Sequence, residues 1–471
     1  MKNTKKEFIF YPYYDSQGHA RHFEEMEAAG WQLQNPGNSR MCFTYRRVQP
    51  AQVSYAVTYF ADASVYDSSL DWDRQQFVDM CRAAGWQRVG GLNKMQIFRN
   101  ENPDATPLET DPVLTVEVIH DSMKNSMILS GIAMLISCVL QLWMRMDMIS
   151  ENVAFYLADW TYLLFAGAWA GLMLFYIFEL SFYYSWYFAA KKRAADGFLH
   201  PVKNGRAKGI ASAVFVAVLA LDMYLWIATI SIELFLFTLL FIAAGTAVSV
   251  AVPALVRKFG HDNAQNRKTG PVIMIAVTMA LFFGFRGLMA NMEIRNPWEK
   301  QPVYVIEDYV DTLDFKVYKD TLPVYISHLT GRNTDTENYT FEHTEKKSPL
   351  MEYHQFLQAP LPDCSGPMLR ITVAKPAGIL YDYCLDSMLN EYEKVNKKWY
   401  RDNPYYYEEI PARDWQAEKA WRLAGGNYNK TPRYIAAYGS YILCVQTDID
   451  MTADMIHTVA EKISRTDFSR Y

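Results

Sequence analysis

Five long apolar stretches occupy the middle of the chain, between two flanks in which apolar and polar residues recur at strand or helix spacing. A bilayer core of about 30 Å needs about 20 apolar residues as a helix. Residues 126–144, 159–182, 209–230, 234–256 and 271–290 meet that length and predict five membrane spans within a region 124–290. The second run stays apolar to residue 190; as one helix it would extend about 48 Å, longer than the bilayer core. Its end, 182–188 (FYYSWYF), reads as an aromatic interface belt continuing as helix beyond the membrane.

Loop charge orients these spans. The loop at 191–208 carries Lys191, Lys192, Arg193, Lys203, Arg206 and Lys208 against Asp196, and the loop at 257–270 carries Arg257, Lys258, Arg267 and Lys268 against Asp262. The opposite loops hold Arg145 beside Asp147 and Glu151, and Glu233 alone. Lys and Arg collect on the cytosolic side. The N-terminus is therefore expected inside and the C-terminus outside a cell membrane. Lys2, Lys5 and Lys6 precede only a short apolar run without a small-residue cleavage site, so no signal peptide is read there.

Residues 1–120 contain an internal repeat. FEEMEAAGWQL at 23–33 is followed by MCFTYRR, and FVDMCRAAGWQRV at 77–89 is followed by MQIFRN; each follows an aromatic strand-like run. Phe77, Met80, Cys81 and Ala84 mark one helical face, and Phe23, Met26 and Ala29 a weaker one. Gly30 and Gly85 are positioned to close these helices in the left-handed conformation, with Trp31 and Trp86 folding back onto the last turn. The expected product is a mostly antiparallel sheet covered on one face by two helices, a duplicated ferredoxin-like α+β domain.

These elements together, a strand of the FIFYPYYD type, a helix ending in AAGW, a strand ending in FTYRR, a second GW helix and a following membrane bundle, resemble the bacterial domain-of-unknown-function family DUF 2812. The resemblance covers about residues 5–120. It implies no catalytic residues, and it implies a PadR-type transcription regulator as a cytosolic partner, because members are often encoded beside one.

The remaining residues, 291–471, predict a second α+β domain, extracytoplasmic under the same topology. Residues 381–400 place Leu385, Met388, Leu389, Tyr392, Val395 and Trp399 on one helical face. Residues 350–359 and 368–375 read as strands, 433–447 as a hairpin turning at Gly439–Ser440, and Thr452 as the cap of a final helix; 321–349 reads as polar and loop-rich. YYYEEI at 405–410, Trp415 and Trp421 are expected mainly in a core. His343 and His354, with Glu342, Glu345 and Glu352 nearby, fit no metal-ligand spacing and are expected at the surface.

A net charge of −5 argues against nucleic-acid binding. The six cysteines, at 42, 81, 138, 364, 384 and 444, include no CxxC pair; three in the last domain argue against a disulfide scaffold. No nucleophile–base, metal or cofactor motif is present, so neither an enzyme nor a cofactor is expected. The chemically unusual residues are intramembrane charges. Asp222 and Arg286 lie at similar depth and are expected to pair, while Glu179 is near enough to an interface to reach water. With the lipid bilayer as one partner and folded domains on both faces, the expected role is sensory or regulatory, relaying an external ligand of unspecified chemistry to the cytosol. A transport or export accessory is the alternative.

Overall fold

The computed structural model describes residues 3–39, 42–92, 94–228, 232–260, 262–290, 300–310, 313–332, 336–392, 403–426 and 432–470. The chain divides into two compact units, 1–140 with 168–296, and 141–167 with 297–471.

In the first unit the repeat is a βαββ motif made twice. The first copy is β1 (Thr4–Phe8), α1 (Ser16–Ala28), β2 (Trp31–Ser39) and β3 (Cys42–Arg47). The second is β4 (Ser54–Tyr59), α2 (Trp72–Ala83), β5 (Gln87–Leu92) and β6 (Met95–Asn100). Each copy builds its own three-stranded antiparallel sheet, in the orders β1-β3-β2 and β4-β6-β5. The single sheet expected from the sequence is therefore two. The last strand of each copy takes the centre, and it pairs only with strands of its own repeat. On α2 the buried face is Val78 and Cys81, while Met80 is 66% exposed, so the apolar stripe is rotated from its expected position.

Gly30 and Gly85 close α1 and α2 with φ of +84° and +87°. The Trp86 amide donates to the Cys81 carbonyl at 2.8 Å, the six-to-one bond of a Schellman closure. The Trp86 ring is buried in the second repeat's core, and its Nε1 donates to the Thr106 carbonyl at 3.2 Å. Trp31 is half-buried against the domain's main core, with the Arg47 guanidinium 5.0 Å from its ring.

Five helices are long and apolar enough to cross a membrane. After α3 (Pro112–Met123) and a π-helical turn come α4 (Leu129–Glu151), the short α5 (Val153–Ala158), and then α6 (Trp160–Ala195), α7 (Gly205–Ala228), α8 (Ile232–Phe259) and α9 (Asn263–Ala290). The stretch 145–158, read as a loop, is the end of α4 followed by α5. α6 is the one continuous 36-residue helix its apolar run required. Its end is only partly an interface belt. Phe182 and Phe188 are exposed, but Tyr183, Trp186, Ala190 and Ala194 are buried in the core shared with α1, β3, β4 and α3. The repeat domain thus completes its core on α6.

A second attachment joins the loop before α2 to the start of α9. Arg267 contacts Asp67 at 2.7 Å and Asp71 at 2.6 Å, and Arg74 joins Asp67 at 2.9 Å. Asn263 accepts from the Ser68 amide at 2.9 Å and donates to the Ser69 carbonyl at 2.7 Å.

The second unit is built on a seven-stranded antiparallel sheet. Its strands are β9 (Tyr339–Lys347), β10 (Met351–Pro360), β11 (Leu369–Pro376), β12 (Tyr405–Ile410), β13 (Lys419–Gly425), β14 (Arg433–Ala437) and β15 (Ile442–Thr447), in the order β12-β13-β14-β15-β11-β10-β9. A two-stranded ribbon, β7 (Tyr304–Val310) with β8 (Leu313–Val317), precedes it. β9 corrects the loop-rich reading of 321–349. Its alternation places Tyr339, Phe341 and His343 inward, while its other positions are largely polar, as an edge strand permits.

Both faces of this sheet are covered. One packs Phe356, Ile371, Val373, Leu443 and Val445 against Trp415, α10 (Ile326–Thr330) and α12 (Ala453–Ser464). Thr452 caps α12 by accepting from the Met455 amide. The other packs Met351, Tyr353, Ala374, Ile435 and Ile442 against α5 and α11 (Tyr381–Leu389). The predicted helix over 381–400 is shorter at its described end; 393–400 lies outside the described residues. Cys364, Cys384 and Cys444 are unpaired.

Candidate functional site

The face of the sheet that meets α5 and α11 turns from apolar to polar along its strands. Strand alternation sends Tyr353 and Gln355 of β10, Arg370 and Thr372 of β11, and Cys444 and Gln446 of β15 to this same face. Pairing register aligns them across strands: Gln355 with Thr372, Thr372 with Cys444, Arg370 with Gln446, and Gln446 with Arg433. Ser150 to Ala154, Ser387, Met388 and Glu391 close the space above. The result is a mainly polar cavity of about 210 Å³.

Its charges are unequally satisfied. Arg433 Nη2 meets Glu391 Oε2 at 2.8 Å, and Tyr407 donates to Glu391 Oε1 at 2.6 Å. Arg433 Nε donates to Cys444 Sγ at 3.3 Å. Burial opposes the charge on Arg433, but its anionic surroundings, with Glu391 in direct contact, outweigh it and hold its pKa above the ordinary value. Burial pushes the Cys444 thiol up, so it stands here as a neutral thiol. Arg370 is different. Among the described residues, its Nη1 has one long contact, 3.5 Å to Gln446 Oε1, and its buried Nε has no hydrogen-bond partner. A half-buried guanidinium with an open donor favours an oxyanion, above all one that takes two parallel N–H bonds.

Sequence reasoning missed this site. The available signal was an arginine in each of two otherwise apolar strand patterns, at the alternation positions that Gln446 and Cys444 share.

On the opposite face of the sheet, with Phe356, the two histidines expected at the surface are buried, His343 to 9% exposed and His354 to 1%. His343 Nε2 lies 3.3 Å from His354 Nδ1, and His354 Nε2 lies 3.2 Å from Glu352 Oε1. Burial would raise the Glu352 carboxyl, but hydrogen bonds from Lys375, His354 and Lys347 hold it down at about 2. Cross-strand pairing of β9 with β10 brings these residues together, a relation that a spacing of eleven along the chain conceals. Among the described residues, no three His, Cys, Asp or Glu side chains are grouped to hold a metal ion.

The intramembrane charges are arranged differently from the sequence expectation. Among the described residues Asp222 Oδ2 is buried without a partner, and Arg286 is exposed; the two do not pair. Equal depth permits contact, but helical phase decides it, and α8 packs on both α7 and α9. Glu179 on α6 does not depend on water; it accepts a hydrogen bond from Ser212 of α7.

Five apolar helices long enough to cross a membrane, preceded and followed by α/β regions, fit a membrane protein. Residues 15–131 match the model of a family described as "Protein of unknown function (DUF2812)", so this part of the chain is a domain of the DUF2812 type. The match takes in the two repeats except β1, then α3 and the first residues of α4, and leaves the seven-stranded sheet outside it. No curated protein and no solved structure matches the chain.

Proposed function

We propose that this protein is a membrane sensor whose C-terminal domain takes a small oxyanion outside the cell and whose repeat domain contacts a partner in the cytosol. The topology is that of the basic loops, with the N-terminus inside and 291–471 extracytoplasmic. The reading of the repeat domain as duplicated ferredoxin-like modules belongs to this proposal. So does a PadR-type regulator as partner, and so does signal relay in place of catalysis.

The observation that carries the reading is the composition of the cavity wall. Ser150 and Glu151 are the last residues of α4, and Asn152 caps α5, accepting from the Phe155 amide at 3.2 Å. A ligand on Arg370 therefore contacts the sheet and the end of a membrane helix together. A ligand shifts an equilibrium only if it binds two arrangements unequally, and a wall formed by a helix terminus is a place where the two arrangements would differ.

The test compares wild type, Arg370→Met and a full knockout for transcript levels of the neighbouring genes, with uptake and efflux measured in parallel. The reading expects both changes to alter transcription. An unchanged transcript pattern with a collapse of transport in the knockout would replace it with the transport-accessory reading.

A further inference from the structure

The first unit holds a larger cavity that the sensor reading does not use. It has a volume of about 330 Å³ and is lined by residues of α1, β4, α3, α6 and the 199–202 segment. Its walls are aromatic and aliphatic. Tyr14 packs on Trp186 with ring centroids 5.0 Å apart, Trp86 forms another wall, and Val57, Val116 and Ile119 supply aliphatic surface. The Trp186 Nε1 donates to the His200 carbonyl at 3.2 Å, which holds the 199–202 segment across the cavity.

The polar groups in this lining are mainly acidic. Glu109 accepts hydrogen bonds from Thr58 and Thr115 at the floor. Asp15 caps α1, accepting from the Gly18 amide at 2.9 Å, and Glu24 accepts from the Tyr55 amide at 2.9 Å. His200 is the basic side chain in the lining, and burial, with Arg193 and Lys203 nearby, lowers its pKa, so it is neutral at pH 7. Burial raises both Glu109 and Asp15 above the ordinary carboxylate range. A cation arriving beside them would relieve that cost. A cavity of apolar walls with few convergent polar groups is the usual form of a small-molecule site.

We infer that this cavity binds an amphipathic organic cation, its ring system held between Trp86, Trp186 and Tyr14 and its charge set against Glu109. Aromatic faces attract a desolvated cation, and a carboxylate in the same enclosure adds the opposite charge. An anion of the same size meets three carboxyl groups and no charged base in the lining. The inference stands apart from the outer cavity, and either can fail alone.

The experiment uses the full-length protein in detergent and the fluorescent cation 4-(4-dimethylaminostyryl)-N-methylpyridinium, with anilinonaphthalene sulfonate as the anionic probe of similar size. Saturable fluorescence enhancement by the cation is expected. Glu109→Gln keeps the side-chain shape and should weaken cation binding by roughly tenfold, the scale of one charge-assisted contact. Ala20→Phe fills the cavity with its acids intact and should abolish binding. Thermal melting confirms that each variant is folded; if Ala20→Phe is not, Glu109→Gln alone decides. Equal cation affinity in wild type and Glu109→Gln, stronger binding of the anionic probe, or no saturable binding in wild type would each overturn the assignment.

Discussion

Glu27 and Arg99 tie the two repeats together, and removing either should destabilise the domain more than removing both. Glu27 lies on the buried side of α1, its side chain 2% exposed, and receives Arg99 Nη2 at 2.6 Å and Nε at 3.0 Å. Tyr55 donates to its other oxygen at 2.7 Å. Glu27→Leu would leave the Arg99 guanidinium in this enclosure with only the exposed Glu101, at 3.3 Å, as a counter-charge. Breaking a buried pair from one side costs about 3–5 kcal/mol. Removing both members, as in Glu27→Leu with Arg99→Met, leaves chiefly the Tyr55 hydroxyl unsatisfied, at about 1–3 kcal/mol. The cycle should therefore show a coupling of at least about 2 kcal/mol. Hydrogen exchange of the peptides at 54–59 and 95–100 in the purified full-length protein is the assay. A loss of 3 kcal/mol raises exchange through domain opening by about a hundredfold. Single variants below about 1 kcal/mol, or a double variant equal to the sum of the singles, would refute the reasoning.

Gly30→Val and Gly85→Val should each cost more than about 1 kcal/mol in the same assay, because both positions have positive φ and a Cβ at Gly30 would stand 3.0 Å from the Val48 carbonyl oxygen; unchanged exchange would remove the helix-closing role. His19, 1% exposed, has its pKa lowered by burial to about 4 from 6.5, so its contribution is present above pH 6.5 and lost as pH falls toward 4. That lowering amounts to about 3 kcal/mol, and a pH series of exchange rates should show it in wild type but not in His19→Phe. In a cysteine-free background, Ile379→Cys should react with an impermeant thiol reagent in intact cells and Lys203→Cys should not; the reverse pattern would invert the topology. Since Asp222 and Arg286 do not touch, Asp222→Asn and Arg286→Gln should lower folded yield additively, and recovery in the double variant would show a pair that the structure lacks.

The cavity's place on the sheet has a packing reason. The central strands β10, β11 and β15 are covered by helices on both faces, so residues on either side of the pleat are withdrawn from water. Apolar side chains fill most of that space. Where α5 and α11 separate from the sheet, the strands carry Arg370, Thr372, Gln446 and Arg433 instead, which satisfy one another only in part.

Much of the architecture was written locally and was therefore legible in the sequence. The five apolar helices follow from run length, because lipid demands that each segment satisfy its own backbone hydrogen bonds. The AAGW repeat announced two equivalent helix closures, since a residue at positive φ is a local requirement that glycine meets. The hairpin at Gly439 and the cap at Thr452 are equally local. The tertiary structure decided what depends on which segments meet. It split the repeats into two sheets, made Tyr183 and Trp186 part of the repeat domain's core, and turned 339–347 into an edge strand. It buried Glu27 against an arginine 72 residues away and gathered Arg370 and Arg433 under the end of α4. A polar residue's sequence neighbours set its local conformation, but the free energy of its charge depends on the groups that surround it, and those arrive from distant parts of the chain only when the sheet is complete.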